Sequence, residues 1–234
     1  VGDLPAVLEA VVFGLTGDFF VPVVVDLDDA GFGLGEEDCA REVFALVAVE
    51  AVFALALGLA LDRLVLGDED TFGLIPEFSD LEVKPNLMRF EEKDYELVEN
   101  LMRKAGQLGL LAISVPEKYQ GLGMGFNTGM LICEEISSLS GSVATAFGAH
   151  TGIGTLPILL YGNEEQKMHY LPKISSGEWI ACYNLTEPDA GSDANSGKTK
   201  AVLSEDGKHY EITGQKIWIS NAGFAHVFIV FARI

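Results

Sequence analysis

From Phe90 onward the apolar positions recur with a helical period. Tyr95, Val98, Leu101, Met102, Ala105 and Leu108 are spaced by three and four residues with Glu and Lys between them, which predicts an amphipathic helix closing at Gly106 and Gly109. Leu110 to Pro116 is a short apolar connection, and Gly121-Leu122-Gly123-Met124-Gly125 reads as a loop. That glycine spacing superficially suggests a nucleotide fingerprint, but no strand–helix unit with a ribose-binding acid follows, so a turn between helices is the better reading. A second helix is expected over 127–139 and a third from Val143 to about Tyr161. The third is crowded with Ala144, Ala146, Gly148, Ala149, Gly152 and Gly154, whose glycines lower helix propensity. Either close packing or a ligand channel must hold it. A fourth helix starts at Asn163, where Gln166 three residues on makes a capping box, and ends near Ser175-Ser176-Gly177.

After Gly177 the period changes. Strands are expected over 179–186, 198–203, 209–219 and 227–234, with Ser204 to Lys208 a turn built on Asp206-Gly207. Helices followed by strands make an α+β chain: a helical domain over 75–177, then an antiparallel β-domain, incomplete here, over 178–234.

Residues 1–74 read differently. They contain no Lys, Asn, Gln, Ser, His, Tyr, Trp, Met or Ile, and they hold 15 of the 35 acids with only Arg41 and Arg63 as bases. Three readings stand for this anomalous segment. Val43 to Leu61 has the length of a membrane span, against which a central Glu50 and flanks without a Lys/Arg bias weigh. A secretory signal is disfavoured, because no basic start precedes the apolar run. The second reading is a native helical segment. The third is that the stretch is not the evolved protein: Val, Ala, Asp, Glu and Gly share G-initial codons, and residues with A-initial codons are almost absent, as in a wrongly read frame.

Charge then narrows the partners. A net charge of −20 argues against nucleic acid, although residues 75–234, with 20 acids and 13 bases, account for only −7 of it. Cys39, Cys133 and Cys182 are widely spaced without a CxxC pair, which fits a reducing compartment, and four scattered histidines do not suggest a metal centre.

Two segments carry the chemistry: Leu185-Thr186-Glu187-Pro188-Asp189-Ala190-Gly191-Ser192-Asp193 and Lys216-Ile217-Trp218-Ile219-Ser220-Asn221. From about Phe90 to Ile234 the chain resembles the acyl-CoA dehydrogenase family, over the end of its N-terminal helical domain and roughly the first half of its middle β-domain. The T-E-P-x-A-G-S-D element is long and specific, and W-I-S-N follows at a fitting distance. The run Phe147-Gly148-Ala149-His150 and the strand Val227 to Ala232 resemble the very-long-chain branch.

The resemblance implies FAD, held by Tyr183, Leu185, Thr186, Gly191, Ser192, Trp218, Ile219 and Ser220. Pro188 would stop the strand and turn backbone near Thr186 toward the isoalloxazine edge. Gly191 permits close approach, and the Ser192 hydroxyl suits a phosphate or ligand edge. Trp218 would cover one flavin face, and Ser220 falls where the family places a hydroxyl near flavin N5. Ser192, Gly148 and Ala149 are expected at the substrate, with small residues leaving room for a medium-to-long acyl chain; equally, those residues serve only to let helices pack. Alone, Trp218 reads as a core residue and Asp189 and Asp193 as turn acids. Glu187 is structural in the family, and His150, a lone His on an apolar helix, reads as a satisfied core residue. His169, His209 and His226 sit in surface contexts. Asn184 and Asp189 depart from the family pattern, Asp189 bringing a charge close to FAD phosphates.

The implied reaction is α,β-dehydrogenation of a fatty acyl-CoA thioester, with electron-transfer flavoprotein as acceptor, in bacterial cytoplasm or mitochondrial matrix, by a homodimer or homotetramer when full length. The family's catalytic Glu is expected beyond Ile234, so no catalytic base is assigned, and this chain alone is expected neither to bind FAD tightly nor to turn over. The alternatives are an acyl-CoA oxidase and a non-catalytic remnant serving as a binding module.

Overall fold

The computed structural model describes residues 9–16, 19–25, 75–207 and 209–234. The expected membrane span over 43–61 and, apart from 9–16 and 19–25, the anomalous segment 1–74 lie outside the described residues. Where the first segment is described it is strand, not helix: β1 (Glu9–Thr16) pairs antiparallel with β2 (Phe19–Val25). Runs of Val and Phe are stiff at χ1 and favour a pleated chain over a helix, and only Gly17-Asp18 separates the two runs.

The described helical part begins with helical residues 75–78, continues through a π-helix at Ser79–Val83 and a 3-10 turn at Lys84–Asn86, and reaches a brief α1 (Leu87–Glu91). Helix α2 (Tyr95–Gln107) starts where the Asp94 carboxylate accepts the Leu97 N–H at 3.1 Å, and it buries Leu101, Met102 and Ala105 as its spacing predicts. Gly106 lets α2 cross the end of the last helix: a Cβ there would lie 2.2 Å from the Ser176 carbonyl oxygen. Helix α3 (Phe126–Leu139) is followed by α4 (Gly141–Gly148), whose N-cap is the Ser140 hydroxyl, accepting from the Val143 N–H at 3.2 Å.

Beyond α4 the expected third helix widens to a π-helix at Ala149–Gly154 before resuming as α5 (Leu156–Tyr161). Pro157 has no N–H to offer and its ring crowds the carbonyl one turn back, so α spacing cannot run through. The Thr155 hydroxyl donates to the His150 carbonyl at 2.6 Å, taking up one of the displaced acceptors. The Gly141–Tyr161 run is long and apolar enough to span a bilayer by length and composition, but more than half of it is buried, as in a core helix. Helix α6 (Glu164–Ser175) opens on the expected capping box: Asn163 Oδ1 accepts the Gln166 N–H at 2.8 Å, and Gln166 Oε1 accepts the Asn163 N–H at 2.9 Å.

The sheet is mixed. Strand β3 (Ala181–Asn184) runs parallel to β6 (Val227–Arg233), and β4 (Lys200–Leu203) pairs antiparallel with β5 (Tyr210–Thr213) and touches the end of β6 at Arg233. Strand β1 lies parallel along β6 from Glu9 to Leu15. The α+β arrangement is as expected, but within 178–234 the antiparallel expectation holds only for the hairpin β4–β5, and β3 and β4 meet β6 in parallel. The chain between β3 and β6 is long enough to return and enter the sheet in the same direction. One apolar cluster joins Leu101, Met102, Leu110, Ile132, Ile136, Phe147 and Ile180 among the helices. A second joins Tyr170, Leu171 and Ile174 of α6 to Val227, Ile229 and Phe231 of β6. Together they fix the helices against the β3 end of the sheet.

Candidate functional site

The two motif segments meet. The Ile217 N–H donates to the Thr186 carbonyl at 3.0 Å, and Lys216 Nζ donates to the Leu185 carbonyl at 2.9 Å and to Glu187 Oε1 at 2.7 Å. The Glu187 carboxylate also accepts the N–H groups of Lys198 at 2.5 Å and Thr199 at 3.0 Å. Burial raises the Glu187 carboxyl, but the Lys216 ammonium and the hydrogen bonds from Thr199 and Lys198 outweigh it and bring the pKa down to about 2. Lys216 is itself lowered, because burial outweighs the pull of the carboxylate. With three donors on its carboxylate and a pKa near 2, Glu187 is a weak base, and its contacts are those of a structural residue. Across the turn, Glu187 and Ala190 exchange both backbone hydrogen bonds, at 3.0 and 3.1 Å, leaving Pro188 and Asp189 at an exposed tip.

Tyr183, Leu185, Thr186 and Ile219 are half-buried along this junction. The Tyr183 ring packs edge-on against Phe231 at 4.8 Å, and burial pushes its phenol up. Gly191 and Ser192 are exposed, and a Cβ on Gly191 would meet nothing within 4 Å, so the backbone there is open to a ligand. The strand expected over 209–219 stops at Thr213, and residues 214–226 form turns. In them Trp218 adopts φ 59 and is 87% exposed. Within this chain it is therefore not packed in the core. A bulky side chain at positive φ is strained, and an indole in water gives up its burial energy, so both costs need a reason.

Ser220 is exposed and helps line a cavity of about 550 Å³ between the α1–α2 corner (Phe90, Tyr95), α4 (Ser142, Thr145, Ala146) and the turn (Asn221, Phe224). Gly148 and Ala149 lie further along and do not line it. A Cβ at Gly148 or Gly152 would meet nothing within 4 Å, so these are not close-packing glycines among the described residues. Gly154 is one, with its Cβ position 2.7 Å from that of Ala181. Ala149 is buried.

His150 is fully buried: its Nδ1 accepts the Ala181 N–H at 3.0 Å, which leaves Nε2–H to donate to the Ile174 carbonyl at 3.1 Å. It fastens the π-helical segment to β3 and α6, a satisfied core residue. His226 is half-buried rather than on the surface, and its Nδ1 accepts the Ile180 N–H at 3.2 Å. The His169 ring packs against Tyr170 and Trp179. The exposed Asp189 pairs with Lys198 Nζ at 2.8 Å, and the buried Asn184 amide donates to the Ile229 carbonyl and to Cys182 Sγ, both at 3.3 Å. Among the described residues no cluster of His, Cys, Asp and Glu could hold a metal. Lys216 and Asn221 went unassigned in the sequence reading. The available signals were a lone Lys heading an apolar run and an Asn ending it, a residue type that tolerates positive φ.

Residues 73–178 match the acyl-CoA dehydrogenase N-terminal domain, and residues 182–233 match the acyl-CoA dehydrogenase middle domain. The Bacillus subtilis (strain 168) protein named "Probable acyl-CoA dehydrogenase" is 49% identical over 158 residues, covering 68% of this chain and 26% of that protein. Mitochondrial isovaleryl-CoA dehydrogenase of Bos taurus is 41% identical over 143 residues, covering 61% of this chain and 33% of that protein. A crystal structure of an acyl-CoA dehydrogenase complexed with FAD from Bacillus anthracis superposes with a TM-score of 0.67 at 46% identity, covering 69% of this chain and 28% of that chain. The chain thus spans about a quarter to a third of each of these three proteins. Two domains matched in order, over the residues that bring the T-E-P and W-I-S-N turns together, show that this chain belongs to the acyl-CoA dehydrogenase family.

Proposed function

We propose that residues 75–234 are the flavin- and acyl-facing part of an FAD-dependent acyl-CoA dehydrogenase acting on fatty acyl-CoA thioesters of medium to long chain. Trp218 carries the reading. An indole held at positive φ, 87% exposed and hydrogen-bonded through its neighbours to the Thr186 turn, is arranged to cover a flat aromatic partner. FAD, when bound, supplies a hydride acceptor at N5.

The chain's own residues fit such a group. Trp218 would cover one face of the flavin, and the exposed Ser220 hydroxyl would be a donor toward its hydride-accepting edge. The open backbone at Gly191 and the Ser192 hydroxyl would suit a phosphate or thioester edge, while Tyr183, Leu185, Thr186 and Ile219 would supply the flank. Lys198 offsets the Asp189 charge, so the departure at Asp189 does not bring an unpaired anion to the phosphates. An α-proton is weakly acidic and needs a carboxylate base; Glu187, held near pKa 2 with three donors on its carboxylate, does not supply it. The free space at Gly148 and Gly152 supports a long acyl tail, and the likeness to an isovaleryl-CoA enzyme leaves chain length resting on that space alone. Electrons are proposed to pass to an electron-transfer flavoprotein.

The test is made on the full-length polypeptide that carries this sequence, with C4, C8 and C16 acyl-CoAs and an artificial electron acceptor. A yellow protein active on C8 or C16 without hydrogen peroxide release is expected. A colourless protein overturns the flavin reading, peroxide release reassigns it as an oxidase, and preference for C4 removes the chain-length reading alone.

A further inference from the structure

We propose that Lys216 and Asn221 are positioning residues that hold Trp218 and Ser220 in place from both ends, an inference that rests on the flavin reading above. The segment between them makes no strand pairing: it enters a bend at Trp218, φ 59, and leaves through Asn221, φ 69. Two successive departures into left-handed backbone within four residues have to be held by contacts outside the segment.

The anchors supply that. At the entry, Lys216 Nζ bridges the Leu185 carbonyl and Glu187 Oε1, tying the segment to the T-E-P turn. At the exit, the buried Asn221 amide donates to the Ala146 carbonyl at 2.9 Å and the Ala181 carbonyl at 3.4 Å. Those carbonyls belong to α4, three residues before it widens at Ala149, and to the first residue of β3. The exit anchor therefore joins the turn, the helix and the sheet at one point. With both anchors made, the Trp218 ring and the Ser220 hydroxyl are presented at a fixed distance from the Thr186 turn, and only a side chain with two amide donors that also tolerates positive φ serves at position 221.

Asn221→Gly keeps the backbone conformation and removes the anchor, whereas Asn221→Asp keeps the shape and replaces the donor with an acceptor. In the full-length protein both variants are expected to weaken FAD at least ~10-fold by titration of the apoprotein, the worth of a lost buried hydrogen bond, and to shift the flavin spectrum. In a background where every tryptophan of the full-length protein except Trp218, Trp179 included, is replaced by Phe, both should lower the fluorescence anisotropy of Trp218 without flavin present. Variants that lower Tm while leaving FAD affinity, spectrum and Trp218 anisotropy at wild-type values overturn the proposal. Should neither Asn221 variant fold, Lys216→Met against Lys216→Arg decides it by the same readouts: loss in the first and retention in the second support the anchor, and equal behaviour overturns it. A wild type that binds no flavin refutes the functional reading, and the anisotropy comparison in the flavin-free chain still decides whether the anchors position Trp218.

Discussion

At the scale of single residues, two buried ionisable groups make the molecule sensitive to acid in separate ranges. Burial holds His150 neutral and lowers it from 6.5 to about 4. A depressed folded-state pKa means that the stability it protects is complete above about pH 6.5 and is lost as pH falls toward 4, in all about 3 kcal/mol. Protonation at Nδ1 also breaks the bond from the Ala181 N–H. Urea unfolding of the full-length protein at pH 7 and pH 4.5 should show that loss, and it should shrink in His150→Asn; equal stability at both pH values would contradict it. Glu187, lowered from 4.5 to about 2, adds a second loss at lower pH, as protonation breaks its pairing with Lys216. Removing the cation instead leaves the carboxylate buried and unpaired. Lys216→Met is therefore expected to cost about 3–5 kcal/mol, and Lys216→Arg much less, by denaturant midpoints.

At the scale of elements, the glycines of the α4–α5 run divide by what surrounds them. Gly154→Ala places a methyl against Ala181 and the Ala149 carbonyl and is expected to cost about 1–3 kcal/mol, whereas Gly148→Ala fills open space and is expected to gain about 0.5–1 kcal/mol. Thermal midpoints of the two variants check this, and destabilisation by Gly148→Ala would show that the space is filled in the full-length protein. Helices α2 and α6 were legible because the apolar spacing of the first and the capping box at Asn163 of the second are local signals. The π-helical turn was not, since it depends on Pro157 meeting a glycine-rich stretch and on Thr155 rebonding His150. The strand expected over 209–219 failed past Thr213 for a similar reason. Ile217, Trp218 and Ile219 look like strand by composition, but their conformation is set by anchors distant in sequence, at Leu185, Glu187, Ala146 and Ala181.

At the scale of the whole molecule, the helical layer and the sheet meet where Asn221 bonds Ala146 of α4 and Ala181 of β3. Within residues 75–234 the order of helices and strands was legible from the change of period at Gly177, whereas β1 and β2 ahead of the helices were not. The parallel pairing of β3 with β6 was not, because pairing direction depends on the path of the 42 residues between them. The motifs were legible as motifs, but the exposure of Trp218 was not, since aromatic composition alone points inward. Acyl specificity belongs to this scale too. Gly148→Leu in the full-length protein is expected to lower kcat/KM for C16 acyl-CoA more than for C8, and an unchanged C16 to C8 ratio would remove Gly148 from the tail pocket. The central claim is tested most directly by the visible spectrum of the full-length protein during anaerobic titration with C8 or C16 acyl-CoA. A flavin band that bleaches with substrate, and that is lost or displaced in Trp218→Ala, is the predicted result. A protein with no flavin band, or with one that no acyl-CoA bleaches, would contradict it.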